Sequence, residues 1–414
     1  MNRQLAMTHN QPPKILLGIT GGIAAYKSAV LARLLIKAGC SVRVMMTAAA
    51  CEFIAPMTFQ ALTGHEVHTT LLDEQAERGM GHIELAKWAD VVVIAPCSAN
   101  TIGKLANGLA DNLLTTVCVA TTAPILLAPA MNQAMWANPV VQDNLAKLQN
   151  FGYTLIHPDS GEQACGDVGA GRLPEPEDLC EMILSFVARQ SLPQSLAGKR
   201  VVITAGATLE PIDPVRFLSN HSTGKMGYAL AKACHDVGAD VVLVSGKRVS
   251  LPAPYGVQRL TVGTADEMLA VCLDACKRAD VFIATAAVAD FKMASIAEHK
   301  IKKTSQADGM TLELIKNPDV LATIAKTFPD VLTVGFAAET QDTENYAQDK
   351  LNRKKLDMIA VNDVSDNSIG FGSDDNAMTV FFAQQYRLDK QVLPKASKAA
   401  IAEQLVGCIA KIVR

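Results

Sequence analysis

Lys14-Ile-Leu-Leu-Gly-Ile-Thr-Gly-Gly22 joins a short apolar run to a pair of glycines, and the residues that follow have helical periodicity up to Ala38. A second apolar run, Ser41-Val-Arg-Val-Met-Met46, comes after Gly39. A strand, a tight turn, a helix and a second strand in this order predict a parallel sheet with a right-handed crossover. The turn places backbone N–H groups at the amino end of a helix, where they can bind a phosphate.

The turn itself, Gly18-Ile-Thr-Gly-Gly-Ile-Ala24, lacks the GxGxxG pattern of dinucleotide-binding folds. Thr47 stands at the end of the second strand, where those folds carry an acidic residue. Both features disfavour NAD and favour a mononucleotide whose phosphate contacts Gly and Thr donors. The glycine pair alone does not exclude the alternative that this tight turn is needed only for packing and binds no phosphate.

Small polar residues follow two later strands of this half. Residues 89–96 form an apolar strand that runs into Cys97-Ser-Ala-Asn-Thr101, at the strand end where open α/β sheets bind ligands. A strand at 124–129 leads to Asn132 near a helix start, where the amide can hold a carboxylate or simply cap the helix. His82 precedes another helix and strand, and a lone histidine is more often structural than catalytic.

Glu162-Gln-Ala-Cys-Gly-Asp-Val-Gly-Ala-Gly-Arg172 carries one cysteine in a glycine-rich context. This composition predicts a mobile flap rather than a helix or a strand. Cys165, with Asp167 and Arg172 close in sequence, is a candidate for proton or thiol chemistry. An incidental cysteine in a surface loop is the alternative.

The second half of the chain repeats the plan of the first. Lys199-Arg-Val-Val-Ile-Thr204 starts a new strand and turn, and residues 238–246 parallel residues 39–46. Proline and polar residues between the halves mark a boundary near Gln190. We therefore predict an α/β protein with two tandem Rossmann-like three-layer domains, covering residues 1–190 and 191–414.

Ser219-Asn-His-Ser-Thr-Gly-Lys-Met-Gly227 supplies backbone and hydroxyl donors at a helix start, which suits a phosphate or a carboxylate. Met226 breaks the GxxxxGK[ST] pattern and disfavours a P-loop ATPase.

Several lysines between 292 and 316 lie near Asp290, a candidate Mg²⁺ ligand, and suggest triphosphate binding. A solvated lysine face is the usual alternative. Asn317-Pro-Asp-Val320 is fully explained as a helix start with Asn317 as the cap.

Composition limits the remaining classes of function. The 414 residues are 49% hydrophobic and 5% aromatic, which is typical of two α/β domains. The formal net charge of -3 gives no general attraction to nucleic acid or to acidic membranes. The amino terminus lacks an apolar signal segment, and the longest apolar region, 117–131, is interrupted by prolines. Ten cysteines without pairing or zinc spacing predict a reduced, cytoplasmic protein with free thiols.

Four motifs of the first half, in this order, resemble the flavin-dependent cysteine decarboxylases: Gly21-Gly-Ile-Ala-Ala-Tyr-Lys27, Pro96-Cys-Ser-Ala-Asn-Thr101, Pro129-Ala-Met-Asn-Gln-Ala-Met-Trp136 and Ala164-Cys-Gly-Asp167. From about Lys14 to the C-terminus, the chain resembles the bifunctional phosphopantothenoylcysteine decarboxylase / phosphopantothenate–cysteine ligase family. The resemblance implies a flavodoxin-like first domain that binds FMN at a subunit interface of a trimer. It also implies that dimers of the second domain join these trimers, with a dodecamer as one such assembly.

For the decarboxylase half, the resemblance implies that FMN oxidises the substrate thiol to a thioaldehyde, which accepts the electrons of decarboxylation. Reduced flavin then returns a hydride to the enethiol. By the same resemblance His82 is the active-site base, Asn132 holds the substrate carboxylate and Cys165 donates the final proton. The implied FMN-binding residues are Gly21, Gly22, Ile23, Ala24, Thr47, Ser98, Asn100, Thr101 and Met131. Cys97 stands where many relatives have alanine, and we expect a passive packing change there.

For the ligase half, the family motifs are present as Lys300-Ile-Lys-Lys303, Ala287-Val-Ala-Asp290 and Gly335-Phe-Ala-Ala-Glu-Thr340. The implied reaction activates the 4'-phosphopantothenate carboxylate as an acyl-cytidylate, releases pyrophosphate, and lets the amine of L-cysteine displace CMP. Lysines and Mg²⁺ would neutralise the phosphate charge, with Lys300 catalytic and Asp290 the candidate metal ligand. Asn220 matches the asparagine that handles the acyl-cytidylate. The implied CTP-binding residues are Ala284, Thr285, Ala286, Asp290, Lys300, Asn317, Pro318, Asp319, Val320, Phe336, Lys350 and Lys354.

Two other functions remain open at this point. A tandem NAD-type dehydrogenase is disfavoured by the missing GxGxxG pattern and the missing strand-end acid. A non-catalytic, flavin-binding regulatory protein is the second alternative, because some relatives of the decarboxylase half bind phosphatases. The presence of both motif sets in one chain favours the enzyme with two activities.

Overall fold

The computed structural model describes residues 12–71, 81–302, 310–339, 343–363 and 372–413. Contacts within the chain define two compact units, unit 1 (Met1–Val187) and unit 2 (Ala188–Arg414). The boundary expected near Gln190 lies just beyond this division, inside a helix that spans Pro176–Ser191. The functional domain limits, 1–190 and 191–414, stay a prediction.

Unit 1 contains eight strands and nine helices among its described residues, the last helix ending beyond it. The strands are β1 (Lys14–Ile19), β2 (Ser41–Met46), β3 (Val67–His68), β4 (Val91–Cys97), β5 (Ile125–Pro129), β6 (Thr154–Leu155), β7 (Asp159–Glu162) and β8 (Val168–Arg172). The helices are α1 (Ala25–Lys37), α2 (Ala48–Cys51), α3 (Pro56–Thr63), α4 (Gly81–Trp88), α5 (Ala99–Ala106), α6 (Leu113–Ala120), α7 (Gln133–Ala137), α8 (Pro139–Asn150) and α9 (Pro176–Ser191).

Six strands of unit 1 form one parallel sheet in the order β3-β2-β1-β4-β5-β6. Without the two-residue β3, this is the flavodoxin-like order. The order reverses between β1 and β4, and such reversals create the ligand crevice of open α/β sheets. Thr20 joins the two strand ends there, because its hydroxyl donates to Pro96 O at 2.8 Å and accepts from Ser98 N at 2.8 Å.

Helices cover both faces of this sheet. Ile15 and Leu17 of β1 pack in one apolar cluster with Leu31 of α1, whereas Leu16 packs in the opposite cluster with Leu114 of α6. Strands that are buried on both faces are continuously apolar, which is why β1 and β4 could be recognised in the sequence. The predicted three-layer arrangement is confirmed for this unit.

Unit 2 contains twelve strands, five α-helices and two 3₁₀ turns among its described residues, besides the end of α9. The strands are β9 (Arg200–Ala205), β10 (Leu209–Pro211), β11 (Phe217–Ser219), β12 (Asp240–Gly246), β13 (Gln258–Val262), β14 (Val281–Ala284), β15 (Phe291–Met293), β16 (Leu314–Lys316), β17 (Leu332–Glu339), β18 (Met358–Asp363), β19 (Asp375–Phe382) and β20 (Gln391–Ser397). The helices are α10 (Lys225–Asp236), α11 (Ala265–Ala275), α12 (Val320–Thr327), α13 (Thr343–Arg353) and α14 (Lys398–Ala410), with 3₁₀ turns at Cys276–Arg278 and Gln384–Tyr386.

The main sheet of unit 2 has eight strands in the order β13-β12-β9-β14-β17-β18-β19-β20. The first six are parallel, and β19 and β20 continue the sheet antiparallel. Val201 and Ile203 pack with Leu230 of α10, whereas Val202 packs with Met268 of α11 on the other face. The second three-layer domain is therefore confirmed. Two short antiparallel ribbons, β10–β11 and β15–β16, lie outside the main sheet.

One local prediction in unit 2 is wrong. The cap of α12 is Asp319, whose carboxylate accepts from Ala322 N at 3.0 Å, and not Asn317. Asn317 instead donates its side-chain amide to Ala289 O at 2.9 Å. Both residues are good caps, so the sequence could not distinguish them without the position of Ala289.

Lys303, Thr340 and most of the polar stretch 362–375 lie outside the described residues. Across the described part of the chain, no helix has the length and apolar character needed to cross a membrane.

Candidate active sites

The turn after β1 presents backbone donors that the described protein does not use. The N–H groups of residues 21–24 donate no hydrogen bond to any described residue, and the 13-residue helix α1 begins directly after them. A Cβ atom at Gly22 would meet nothing within 4 Å. Free N–H groups, a helix amino end and open space together fit the phosphate of a mononucleotide.

Gly21 has a different role from Gly22, because it is closely packed. A Cβ atom at Gly21 would lie 2.6 Å from the Ala49 Cβ and 2.9 Å from the Ala49 carbonyl carbon. Ala49 belongs to α2, which Thr47 caps by accepting a hydrogen bond from Ala50 N at 3.2 Å. The turn can therefore lie against α2 only if position 21 has no side chain.

We expect Gly21→Ala to lower the free energy of unfolding of the flavin-free protein by about 1–3 kcal/mol, the usual cost of overpacking. Gly22→Ala is the matched control, because its new methyl group would enter open space and leave stability unchanged. Denaturant unfolding of both variants measures the difference. Equal stability of the two variants would contradict the packing argument. The flavin content of the stable Gly22→Ala protein then reports whether the open space holds the cofactor.

The segment after β4 is ordered by its own hydroxyl groups. Ser98 caps α5 by accepting from Thr101 N at 3.3 Å, and Asn100 is exposed on the first turn of the helix. Cys97 is fully buried in an apolar cluster that also contains Cys118. Burial raises the pKa of the Cys97 thiol, and the neighbouring Cys118 raises it further. This environment supports the expected packing role for Cys97.

The cysteine-containing segment is a hairpin of two strands, so the prediction that it forms neither a helix nor a strand is wrong. β7 and β8 pair antiparallel, with Glu162 opposite Val168 and the turn at 163–167 between them. A Cβ atom at Gly171 would lie 2.3 Å from Met131 O, so this glycine allows direct contact between the hairpin and the segment before α7. Gly171 therefore serves close packing between these two segments.

A second set of contacts fixes the hairpin on the same segment. Met131 N donates to Gly171 O at 2.9 Å. The Gln163 side-chain amide accepts from Gln133 N at 3.0 Å and donates to Met131 O at 3.3 Å. The backbone on both sides of Asn132 is therefore held by the hairpin.

Asn132 lies directly beside the predicted proton donor. Its Oδ1 accepts from Ala134 N at 2.8 Å, and its Nδ2 donates to Asp167 Oδ2 at 2.7 Å and to Cys165 Sγ at 3.3 Å. The two alternatives raised by the sequence, a helix cap and a carboxylate holder, are thus compatible. The Asp167 carboxylate occupies the donor that a substrate carboxylate is predicted to use. Of the ten cysteines, Cys165 alone is exposed.

His82 is the second residue of α4 and lines a small cavity of about 150 Å³ with Glu66, His68 and Thr70. Within the described residues, no hydrogen bond or ion pair joins His82 to Asn132 or Cys165. Of the three residues predicted for decarboxylation, Asn132 and Cys165 are joined by a hydrogen bond.

Unit 2 has a larger cavity of about 250 Å³ at the carboxyl ends of β14, β17 and β18, beside the amino end of α10. Four of the predicted CTP-binding residues line it: Thr285, Ala286, Phe336 and Lys350. Further lining residues that the CTP prediction did not include are Ser222, Thr223, Lys225, Asn362, Asn376 and Lys398.

Three lysines from different elements give this cavity its charge: Lys225, Lys350 and Lys398. Lys225 pairs with Asp374 at 2.8 Å, and Lys350 donates to Phe336 O at 3.1 Å. Lys398 is buried, and burial lowers its pKa, which the Lys225 ammonium lowers further. No carboxylate is among the described lining residues, so the cavity suits a polyanion.

The other predicted nucleotide residues are outside the described cavity lining, and two pairs of residues among them are in contact. Asn317 N donates to Asp290 O at 2.8 Å, and Lys354 pairs with Asp319 at 2.5 Å. Ala284 ends β14, Pro318 and Val320 flank the α12 cap, and Lys300 is exposed. Across the described residues, no group of three or more His, Cys, Asp or Glu side chains could hold a metal ion. Asp290 remains a single candidate ligand.

Asn220 borders the cavity through the loop that follows β14. Its Nδ2 donates to Ala287 O at 3.1 Å. Ala287 lines the cavity, and its N–H donates to Gly206 O at 2.8 Å. A polar side chain thus stands at the cavity edge, on a backbone that hydrogen bonds fix.

Comparisons with known proteins identify the family of both halves of the chain. The flavoprotein family matches residues 4–188, and the DNA/pantothenate metabolism flavoprotein C-terminal domain matches residues 196–413. The coenzyme A biosynthesis bifunctional protein CoaBC of Vibrio cholerae is 52% identical over 397 residues, which cover 96% of this chain and 97% of the relative. The protein of the same description from Bacillus subtilis is 47% identical over 399 residues, with 96% and 97% covered.

Among solved structures, the C-terminal domain of a coenzyme A biosynthesis bifunctional protein CoaBC is 36% identical to this chain. It matches 52% of this chain and 96% of its own length, with a TM-score of 0.44. The full-length identities of about half establish the relationship. The chain therefore belongs to the family of the coenzyme A biosynthesis bifunctional proteins, which confirms the predicted family and its assignment as a bifunctional enzyme.

Proposed function

We propose that the chain catalyses two consecutive steps of coenzyme A biosynthesis. The second half ligates L-cysteine to 4'-phosphopantothenate with CTP, through an acyl-cytidylate, and releases pyrophosphate and CMP. The first half decarboxylates the resulting 4'-phosphopantothenoylcysteine to 4'-phosphopantetheine with FMN. The observation that carries this proposal is the presence in one chain of the Asn132–Cys165 pair and of a cavity lined by three lysines.

In the first half, the proposed substrate carboxylate binds Asn132 Nδ2 and displaces the Asp167 carboxylate that now accepts from it. FMN, when bound, supplies the oxidation of the substrate thiol and the hydride that is returned at the end. His82 acts as the base, and Cys165 Sγ, 3.3 Å from Asn132 Nδ2, donates the final proton. The residues proposed to hold FMN are Gly21, Gly22, Ile23, Ala24, Thr47, Ser98, Asn100, Thr101 and Met131.

In the second half, the lysine-lined cavity and the Asp290–Asn317 group together are proposed to bind CTP and Mg²⁺. Positive charge near the phosphates lowers the barrier for attack by the substrate carboxylate, because charge builds on the phosphate oxygens in the transition state. Lys300 is proposed to act in this first step. Asn220, at the cavity edge, then handles the acyl-cytidylate while the cysteine amine attacks.

The proposed assembly has trimers of the first half, with FMN at the subunit interface, joined through dimers of the second half. Exposed apolar side chains support an interface in each unit. Ile23, Tyr26 and Val30, at helical spacing, are exposed at the start and on the surface of α1. Phe291 and Ile315 are exposed on the ribbon β15–β16.

A product assay by mass spectrometry tests the proposal. The purified protein is incubated with 4'-phosphopantothenate, L-cysteine and Mg²⁺, with and without CTP. We expect 4'-phosphopantetheine only when CTP is present, and an absorbance spectrum of bound flavin. Phosphopantothenoylcysteine alone would contradict the decarboxylase half. The absence of any product from flavin-loaded protein would favour the regulatory alternative.

A further inference from the structure

The turn between β10 and β11 is organised around one buried carboxylate, that of Asp213, which is 3% exposed. Its Oδ1 accepts from the backbone N–H groups of Val215 and Arg216, each at 2.8 Å. Its Oδ2 accepts from the Arg216 guanidinium through Nε at 2.9 Å and Nη2 at 2.6 Å. Bidentate pairing of this kind fixes both orientation and distance.

The same carboxylate reaches a segment far away in sequence. Ile301 N donates to Asp213 Oδ2 at 3.2 Å, and Arg216 Nη2 donates to Ile301 O at 3.0 Å. Both backbone groups of Ile301 are thus held by one ion pair. Ala297 N donates to Ile212 O at 3.1 Å and fixes the segment a second time. The neighbour of Ile301 in the chain is Lys300, whose side chain is exposed.

Only an ionised carboxylate suits the position of Asp213. All five of its partners are donors, and an amide would turn its own N–H groups towards N–H groups. The Arg216 guanidinium holds the pKa of the Asp213 carboxyl far below its usual range. The link to Ile301 therefore persists throughout the neutral pH range.

We propose that Asp213 is a positioning residue for Lys300 in the formation of the acyl-cytidylate. Adjacent α-carbons are about 3.8 Å apart, so fixing the Ile301 backbone fixes the point from which the Lys300 side chain extends. A flexible ammonium group neutralises phosphate charge efficiently only when its attachment point is held. This inference rests on the proposed role of Lys300.

Asp213→Asn, which keeps the size of the side chain, tests the inference. The readout is the burst of pyrophosphate released on mixing the flavin-loaded protein with 4'-phosphopantothenate, CTP and Mg²⁺ without cysteine. We expect the burst rate to fall about a hundredfold, the cost of a misplacement of about 1 Å, while the affinity for CTP stays within about twofold. Tryptic cleavage after Lys300 and Lys302 should accelerate at a temperature well below the unfolding transition of the variant.

Asp280→Asn is the matched control. The Asp280 carboxylate also accepts from a distant backbone N–H, that of Arg200 at 2.8 Å, but at the amino ends of β9 and β14. We expect this variant to keep the wild-type burst and the wild-type cleavage pattern. If Asp213→Asn does not fold, Arg216→Lys removes the guanidinium fork while leaving the carboxylate, and a slower burst in that folded variant is expected.

A wild-type burst in Asp213→Asn would overturn the positioning role, as would a burst that falls only in proportion to CTP binding. Lys300→Gln, measured in parallel, separates this failure from that of the proposed function. A lost burst in Lys300→Gln with a normal burst in Asp213→Asn would reject the positioning role alone. A normal burst in Lys300→Gln would reject the role of Lys300 itself, and with it the inference.

Discussion

Lys300→Gln should slow formation of the acyl-cytidylate by about a hundred- to a thousandfold, the usual cost of removing one preorganised group that stabilises transition-state charge. Glutamine keeps most of the length of lysine but cannot neutralise a phosphate oxygen. Lys300 is exposed and outside the described lining of the cavity, so its loss should not disturb the fold of unit 2. The burst of pyrophosphate and the acyl-cytidylate detected by mass spectrometry both measure this step.

Lys326→Gln is the matched control, because Lys326 is an exposed lysine on α12 outside the cavity lining. It should retain the wild-type burst, which would show that a general loss of positive charge is not the cause. A wild-type burst in Lys300→Gln would contradict the assignment.

Asn220→Asp should give the opposite result, an accumulated acyl-cytidylate. The Asn220 amide donates to Ala287 O, and a carboxylate there would lose this donor and face the carbonyl oxygen. The first step uses other groups and should continue, whereas attack by cysteine should slow. Absence of the intermediate in this variant would count against the role of Asn220.

The fold could be predicted where the sequence pattern is local. β1, the turn at residues 20–24 and α1 are specified by an apolar run, a glycine pair and a helical period that lie next to one another in the chain. The reversal of strand order between β1 and β4 is not a local feature, because it depends on which strands pair in the sheet. Thr20 then brings the two predicted ligand segments together, as expected for the crevice of an open sheet.

Features that depend on distant contacts could not be predicted from the sequence. Gly171 lies in a strand that packs directly against Met131 O, a contact that the sequence does not reveal. The Asn317 side-chain amide donates to Ala289 O, so Asn317 does not cap α12. Lys398 is the first residue of α14, far in sequence from the other residues of the cavity in the first half of unit 2. It reaches the cavity because β19 and β20 extend the sheet and return the chain beside α10.

Cys165→Ser should separate decarboxylation from the final reduction. A serine hydroxyl fits beside Asn132 Nδ2, so binding of the substrate carboxylate and release of CO₂ should stay within about tenfold of wild type. A hydroxyl is a much weaker acid than a thiol, and removal of a general acid typically costs about a hundredfold or more. We therefore expect an enethiol product, lighter than 4'-phosphopantetheine by two hydrogens, to accumulate in the mass spectrum.

The control for this variant is Cys408→Ser, since Cys408 donates to Gln391 Oε1 at 3.3 Å and a hydroxyl can replace that donor. It should form 4'-phosphopantetheine at the wild-type rate. Normal reduction in Cys165→Ser would show that another acid donates the proton, whereas loss of CO₂ release would place Cys165 in an earlier step.

Asp167→Asn tests the contribution of the neighbouring carboxylate. Without its charge, Asn132 Nδ2 should be easier for the substrate carboxylate to reach, which would lower KM without changing the identity of the product.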